Sequence, residues 1–247
     1  NITADAASTV KAYSGAVSAG DSVNVYAGSS LVSALNTVTA ANHVSASASS
    51  VYGTVLTASA GDVVIDGSTV TSTSNVVAAR DIVVSGSPAL STVICGGDLT
   101  ATAGSITVAS GSTLTAAGKI ESGTASSFSG TTTTSTGDVV AGTSLAVTGV
   151  TLTVVAGNVA VGTTVDVSAA GKVLAPAGSL TATSGYIALI GGSEIEVEDA
   201  IAVSTGYITV SGASTLNSTT SSVAASTYVS VDASTVWAYT TLTATSG

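Results

Sequence analysis

Glu194, Glu196, Glu198 and Asp199 form the one charge cluster of this 247-residue sequence. Oxygen ligands set so close together could hold calcium. In the run Gly192-Ser193-Glu194-Ile195-Glu196-Val197 the glutamates alternate with aliphatic residues, which also describes a plain solvated strand face. No glycine–aspartate nonapeptide of the calcium-roll kind repeats. Lys172 holds the place of Glu194 one repeat earlier, so the two could pair at the surface, where such a pair contributes little. His43 is the single histidine, and no Cys, His or carboxylate partner is evident beside it. Ser-His-Asp chemistry has no anchor either, because no Gly-x-Ser-x-Gly elbow occurs.

Other residue sets recur with the spacing of a repeat. Asp21, Asn42, Asp62, Asp81, Asp98, Asp138 and Asn158 read as one column of corner residues, suited to side-chain-to-backbone turns or to a cation between like charges. Tyr186, Tyr207 and Tyr228 should stack as an aromatic ladder, stabilising or adhesive. Thr-x-Thr pairs, such as Thr113/Thr115 and Thr151/Thr153, could form a flat ice-binding array, but Lys172, Glu194 and Trp237 interrupt the columns. Asn1-Ile2-Thr3 and Asn217-Ser218-Thr219 fit the glycosylation pattern, which arises by chance in Thr-rich chains. Cys95, the lone cysteine, follows Val93 and Ile94 and reads as a buried thiol, with an intermolecular disulfide as the alternative.

The elements that position these residues must be strands. Apolar residues make up 45% of the sequence, aromatics 4% and charges 7%, so any core is narrow and built from small and β-branched side chains. The formal net charge is −10 and there are four cations, which excludes a phosphate-neutralising surface. No apolar run reaches the ~20 residues of a membrane span. The absence of Met suggests an exported product with a cleaved leader.

A six-residue motif recurs with a period of about 20 residues, the signature of a solenoid. It reads small, Ser or Thr, any, aliphatic, any, small: ASTVKA at Ala7, GSSLVS at Gly28, GSTLTA at Gly111, GSEIEV at Gly192, ASTVWA at Ala233. Its fourth position points inward, as at Val10, Leu31, Leu114, Ile195 and Val236. Two repeats depart: at Gly86 (GSPALS), Leu90 would replace Ala89 through a bulge at Pro88, and at Gly130 the position is Thr133. A strand with an inward pair precedes each motif, as in Val23/Val25 and Ile208/Val210, and a third follows it, as in Ile201/Val203. Residues 97–103, in the long step between Gly86 and Gly111, read as one outward loop or an enlarged corner. The expected fold is all-β: a single right-handed parallel β-helix over residues 1–247, about 12 coils of ~20 residues with three short strands each and uncapped ends.

The two ends match. Residues from Ala233 to Gly247 followed by Asn1 to Ala6 would make one turn of ordinary length, and ASTVWAY would stack on ASTVKAY, setting Trp237 against Lys11 and Tyr239 against Tyr13. The expected subunit interface is Asn1, Ile2, Ala4, Val10, Lys11 and Tyr13 on one side, and Tyr228, Val236, Trp237, Tyr239, Leu242 and Gly247 on the other. A head-to-tail contact of this kind does not close and gives a filament.

The stretches GGDLTATAGSITVASGSTLTAAGKI (96–120), GDVVAGTSLAVTG (137–149) and AGSLTATSGYIAL (177–189) resemble the repeats of filamentous haemagglutinin-type β-helical proteins. The resemblance implies a right-handed β-helix at a bacterial surface, with adhesion as the associated activity. The chain is therefore expected to be a non-enzymatic, extracellular, self-assembling structural subunit whose partner is its own copy. The alternative is the stalk of an adhesin that meets cell surfaces or glycans; ice binding and polysaccharide cleavage come after it. No organic cofactor is expected, and the three glutamates are the calcium candidate.

Overall fold

In the computed structural model, which describes residues 1–86, 89–129 and 132–246, every regular element is a β-strand. The strands form three parallel sheets, A, B and C, visited in that order in each turn of a β-solenoid. The chain divides into two compact units, Asn1–Gly123 and Thr124–Gly247. In the first unit sheet A takes Ile2–Ala4, Val23–Val25, Val44–Ser47, Val63–Asp66, Ile82–Ser85 and Ile106–Val108. In the second it takes Ser126–Ser129, Ser144–Thr148, Thr164–Ser168, Gly185–Leu189, Gly206–Ser211 and Val229–Asp232.

Strict alternation makes these strands. Val63 and Ile65 are buried while Val64 and Asp66 face out, and the same order repeats in Val165/Val167 and Ile208/Val210. Parallel pairing places like on like, as in Val63 opposite Val44 and Ile82, so each inward column is a continuous aliphatic stack. The core is narrow, and Phe128 is the one aromatic side chain buried in it among the described residues. Except at Ala89/Leu90 and on the outermost strands, the expected inward positions are buried, including Thr133 opposite Leu152.

The first two motif positions have a backbone cause. The first is a left-handed corner residue, as at Gly28 (φ 74°), Ala48 (46°), Gly111 (76°), Ala170 (61°) and Gly192 (75°). The second is a serine turned into the core. Ser68 Oγ accepts from Ser49 N at 3.1 Å, Ser91 Oγ from Ser68 N at 3.2 Å, and Ser214 Oγ from Ser193 N at 3.1 Å. Each hydroxyl satisfies a corner amide that would otherwise be buried without a partner.

Three local expectations are corrected. Val93, not Leu90, fills the inward place after Val70; Leu90 is exposed, and Pro88 lies outside the described residues. Residues 97–103 are not a loop, because they contain the ordinary sheet C strand Leu99–Ala101. The extra length lies in the corner between Ile82–Ser85 and Ser91–Cys95. The acid and amide residues occupy two corners rather than one. Asp21, Asn42, Asp62 and Asp81 precede sheet A strands, whereas Asp98, Asp138 and Asn158 precede sheet C strands.

Candidate functional site

At both corners a side chain from one turn accepts the backbone N–H of the next. Asp62 Oδ1 takes Asp81 N at 3.1 Å, and Asp81 Oδ1 takes Ser105 N at 2.7 Å. Asp98 Oδ1 takes Lys119 N at 2.9 Å, Asp138 Oδ1 takes Asn158 N at 2.7 Å, and Asn158 Oδ1 takes Ser179 N at 3.0 Å. The bonds from Ser105 hold the Asp81 carboxyl below its usual range. These carboxylates are structural acceptors. His43 does have a partner: its Nδ1 accepts Asp62 N at 3.3 Å and lies 3.4 Å from Asp62 Oδ2, with Arg80 Nε 3.8 Å from Asp62 Oδ1.

Glu194 and Glu196 face outward on the sheet B strand Glu194–Val197, and Glu198 follows it. Lys172 Nζ donates to Glu194 Oε2 at 2.6 Å, as the register suggested. Among the described residues no three His, Cys, Asp or Glu side chains are placed to hold a metal ion, so the calcium candidates are not brought together as a site. Cys95 is buried, with its thiol donating to Ser74 O at 3.0 Å. The tyrosine ladder is present: Tyr186 and Tyr207 stack at 5.4 Å, and Tyr207 and Tyr228 at 4.8 Å. Gly185 and Gly206 make this possible, since a Cβ on Gly206 would meet Gly185 O at 1.8 Å.

The interface candidates fall on the outermost strands of the three sheets. At one side are Ile2–Ala4, Thr9–Ala12 and Val17–Ala19; at the other are Val229–Asp232, Thr235–Ala238 and Leu242–Ala244. Asn1 Oδ1 accepts Ser22 N, Ile2 pairs with Val23, and Ala4 is buried. Val10 and Val236 are half-buried, and Lys11 Nζ lies 4.6 Å from the Tyr13 ring. Tyr13, Tyr228, Trp237, Tyr239 and Leu242 are exposed, and Gly247 lies outside the described residues. Val231 is 45% and Leu242 53% exposed, although they continue inward columns whose members one turn earlier, Val210 and Val223, are buried.

Sequence reasoning missed a furrow on the outer face of sheet B in the second unit. One hollow of about 330 Å³ is lined by Thr215, Asn217, Thr219, Thr235 and Trp237. Another of about 180 Å³ is lined by Thr153, Leu174, Pro176 and Glu196. Thr153, Leu174, Glu196, Asn217 and Trp237 are partners in register on successive strands, so the hollows share one column. Asn217 Oδ1 is buried there without a hydrogen-bond partner. No residue spacing in the sequence marked it.

Residues 1–125 match the family described as the NAD binding domain of 6-phosphogluconate dehydrogenase. No curated protein and no solved structure matches the chain. The family match corrects the expectation of no organic cofactor, since it points to NAD, and it sets a dehydrogenase-type domain against the non-enzymatic reading. The residues present do not fit the dinucleotide. NAD diphosphate is held where a glycine-rich turn opens a helix N-terminus. Among the described residues of 1–125 there is no helix, and no two glycines in that stretch stand two apart. Its glycines instead allow turns to approach: a Cβ on Gly61 would lie 2.3 Å from Asn42 O, and one on Gly96 2.3 Å from Thr73 O. Two of its cations are held by acids, Arg80 by Asp62 and Lys119 by Glu121, and Lys11 lies over the Tyr13 ring. Among the described residues no helix is long and apolar enough to cross a membrane.

Proposed function

We propose, for a chain that belongs by sequence to the family of the NAD binding domain of 6-phosphogluconate dehydrogenase yet folds as a β-solenoid, a structural role: an extracellular subunit that stacks head to tail on its own copies. The observation that carries this reading is the exposed apolar row of the outermost turn. Val231 and Leu242 point the way of core residues but lie half open. Fully burying such a side chain stabilises by about 1.5–3 kcal/mol, so covering the exposed half contributes roughly 1 kcal/mol each. The covering turn must bring strands in the same register. Ile2/Ala4, Val10/Ala12 and Val17/Ala19 of a second copy would continue the columns of Val229/Val231, Val236/Ala238 and Leu242/Ala244.

Open strand edges are templates for pairing with another chain. Each added strand would bring a ladder of backbone hydrogen bonds, and three ladders would form together. Lys11 of the incoming copy would meet Trp237, a cation–π contact of about 0.5–2 kcal/mol. The experiment is negative-stain microscopy with fibre diffraction over a concentration series. Unbranched filaments with a ~4.8 Å repeat along the axis are expected. Leu242→Lys, which sets a charge in the apolar row, should suppress growth while leaving the β-sheet circular dichroism intact. Wild-type protein that stays monomeric at high concentration, or filaments indifferent to Leu242→Lys, would overturn the reading.

A further inference from the structure

We infer that the furrow on the outer face of sheet B in the second unit is a binding site for a neutral oligosaccharide. The two hollows lie on one column of outward residues, with Leu174, Glu196, Asn217 and Trp237 in register on four successive strands. The furrow therefore runs across the strands, one residue per turn. Turns are stacked at ~4.8 Å, close to the length of one pyranose unit, so a sugar chain laid in it would meet equivalent positions turn by turn.

The lining matches a sugar in both of its aspects. A pyranose has an apolar C–H face and a rim of hydroxyls. Trp237, 62% exposed, offers a flat apolar ring, and Leu174 offers a second apolar surface. Asn217, in register between Glu196 and Trp237, lines one of the hollows with a side-chain amide. Glu196 adds a carboxylate acceptor, and threonine hydroxyls flank the indole.

Other occupants fit less well. An anionic ligand meets Glu196 and a net charge of −10, and the nearby cation, Lys172, is bonded to Glu194. A peptide adding as a strand needs an open sheet edge, whereas this column crosses the face of strands already paired on both sides at Glu194–Val197 and Thr215–Ser218.

Trp237 is the single tryptophan, so at a dilution where light scattering shows no elongation its emission reports on this site. Titration of the whole chain with cellohexaose, maltohexaose and chitohexaose should give a saturable emission change with at least one of them. Calorimetry should show that Asn217→Ala weakens that binding at least tenfold and that Trp237→Ala abolishes it. Thr181→Ala, on the outer face of sheet C, should leave it unchanged. No saturation with any of the three sugars at millimolar concentration would overturn the proposal. So would equal binding of hexagalacturonate, or binding unaffected by Asn217→Ala in a variant whose circular dichroism is native. Trp237 is shared with the proposed joint, so the two readings are told apart at Asn217, which lies one turn inside the outermost strand. Filament growth by Asn217→Ala protein that has lost sugar binding would separate the two.

Discussion

Alanine sits in a left-handed backbone conformation at corner after corner. Ala48, Ala170 and Ala213 have φ of 46°, 61° and 61°, where the equivalent corners carry Gly28, Gly67 and Gly111. A side chain there costs roughly 1–2 kcal/mol, while glycine costs about 0.4–1 kcal/mol more chain entropy on folding. Ala170 is exposed, so removing its Cβ loses no packing. Ala170→Gly should therefore stabilise by about 0.5–1 kcal/mol, read as a higher urea midpoint with an unchanged slope. A lower midpoint would mean that the corner is not strained. The motif was legible as small residue then Ser or Thr, but its two physical reasons were not. Neither a positive φ nor a serine turned inward to cap the next turn leaves a mark beyond residue size and polarity. Asn217 was equally silent, because an unpaired amide is visible only once its neighbours in adjacent turns are placed.

The strands were legible because alternation on a half-buried face has a period of two, and each inward pair names its own strand. Corners were less so. Gly86-Ser-Pro-Ala-Leu-Ser imitates the motif, yet the register runs through Val93, the partner of Val70, so likeness of composition does not give the register. Cross-turn pairs carry consequences that a single strand cannot show. On sheet A, Asp166 lies beneath the tyrosine ladder, with Tyr186 OH donating to its Oδ2 at 3.3 Å. Burial raises the Asp166 pKa above its ordinary value against the lowering effect of that bond, and the nearby carboxylate in turn raises that of Tyr186. A carboxyl whose folded pKa exceeds its unfolded one destabilises the native state above the folded pKa. That cost is relieved as pH falls through it toward the unfolded value of about 3.9. Asp166→Asn should thus be more stable than the parent at pH 7, and the difference should vanish below about pH 4. Denaturant melts at the two pH values check this, and a deficit for Asp166→Asn at pH 7 would show that the tyrosine bond outweighs burial.

At the scale of the whole chain, the proposed stacking must work against charge. The sequence carries fourteen acids against four Lys and Arg, a formal net charge of −10, with a pI of about 4.1. Copies brought end to end repel one another, and repulsion between exposed charges is screened over about 8 Å at physiological ionic strength, against about 30 Å at 0.01 M salt. The apolar row of Val231 and Leu242 and the backbone ladders are not weakened by such screening. Elongation should accordingly quicken as NaCl rises from about 0.01 to 0.15 M, and again as pH approaches the pI. Light scattering from seeded growth measures both. Growth that slows with salt would mean that ion pairs at the joint, Lys11 against acids of the neighbouring copy, outweigh the long-range repulsion. The joint would then be electrostatic rather than a continuation of the core.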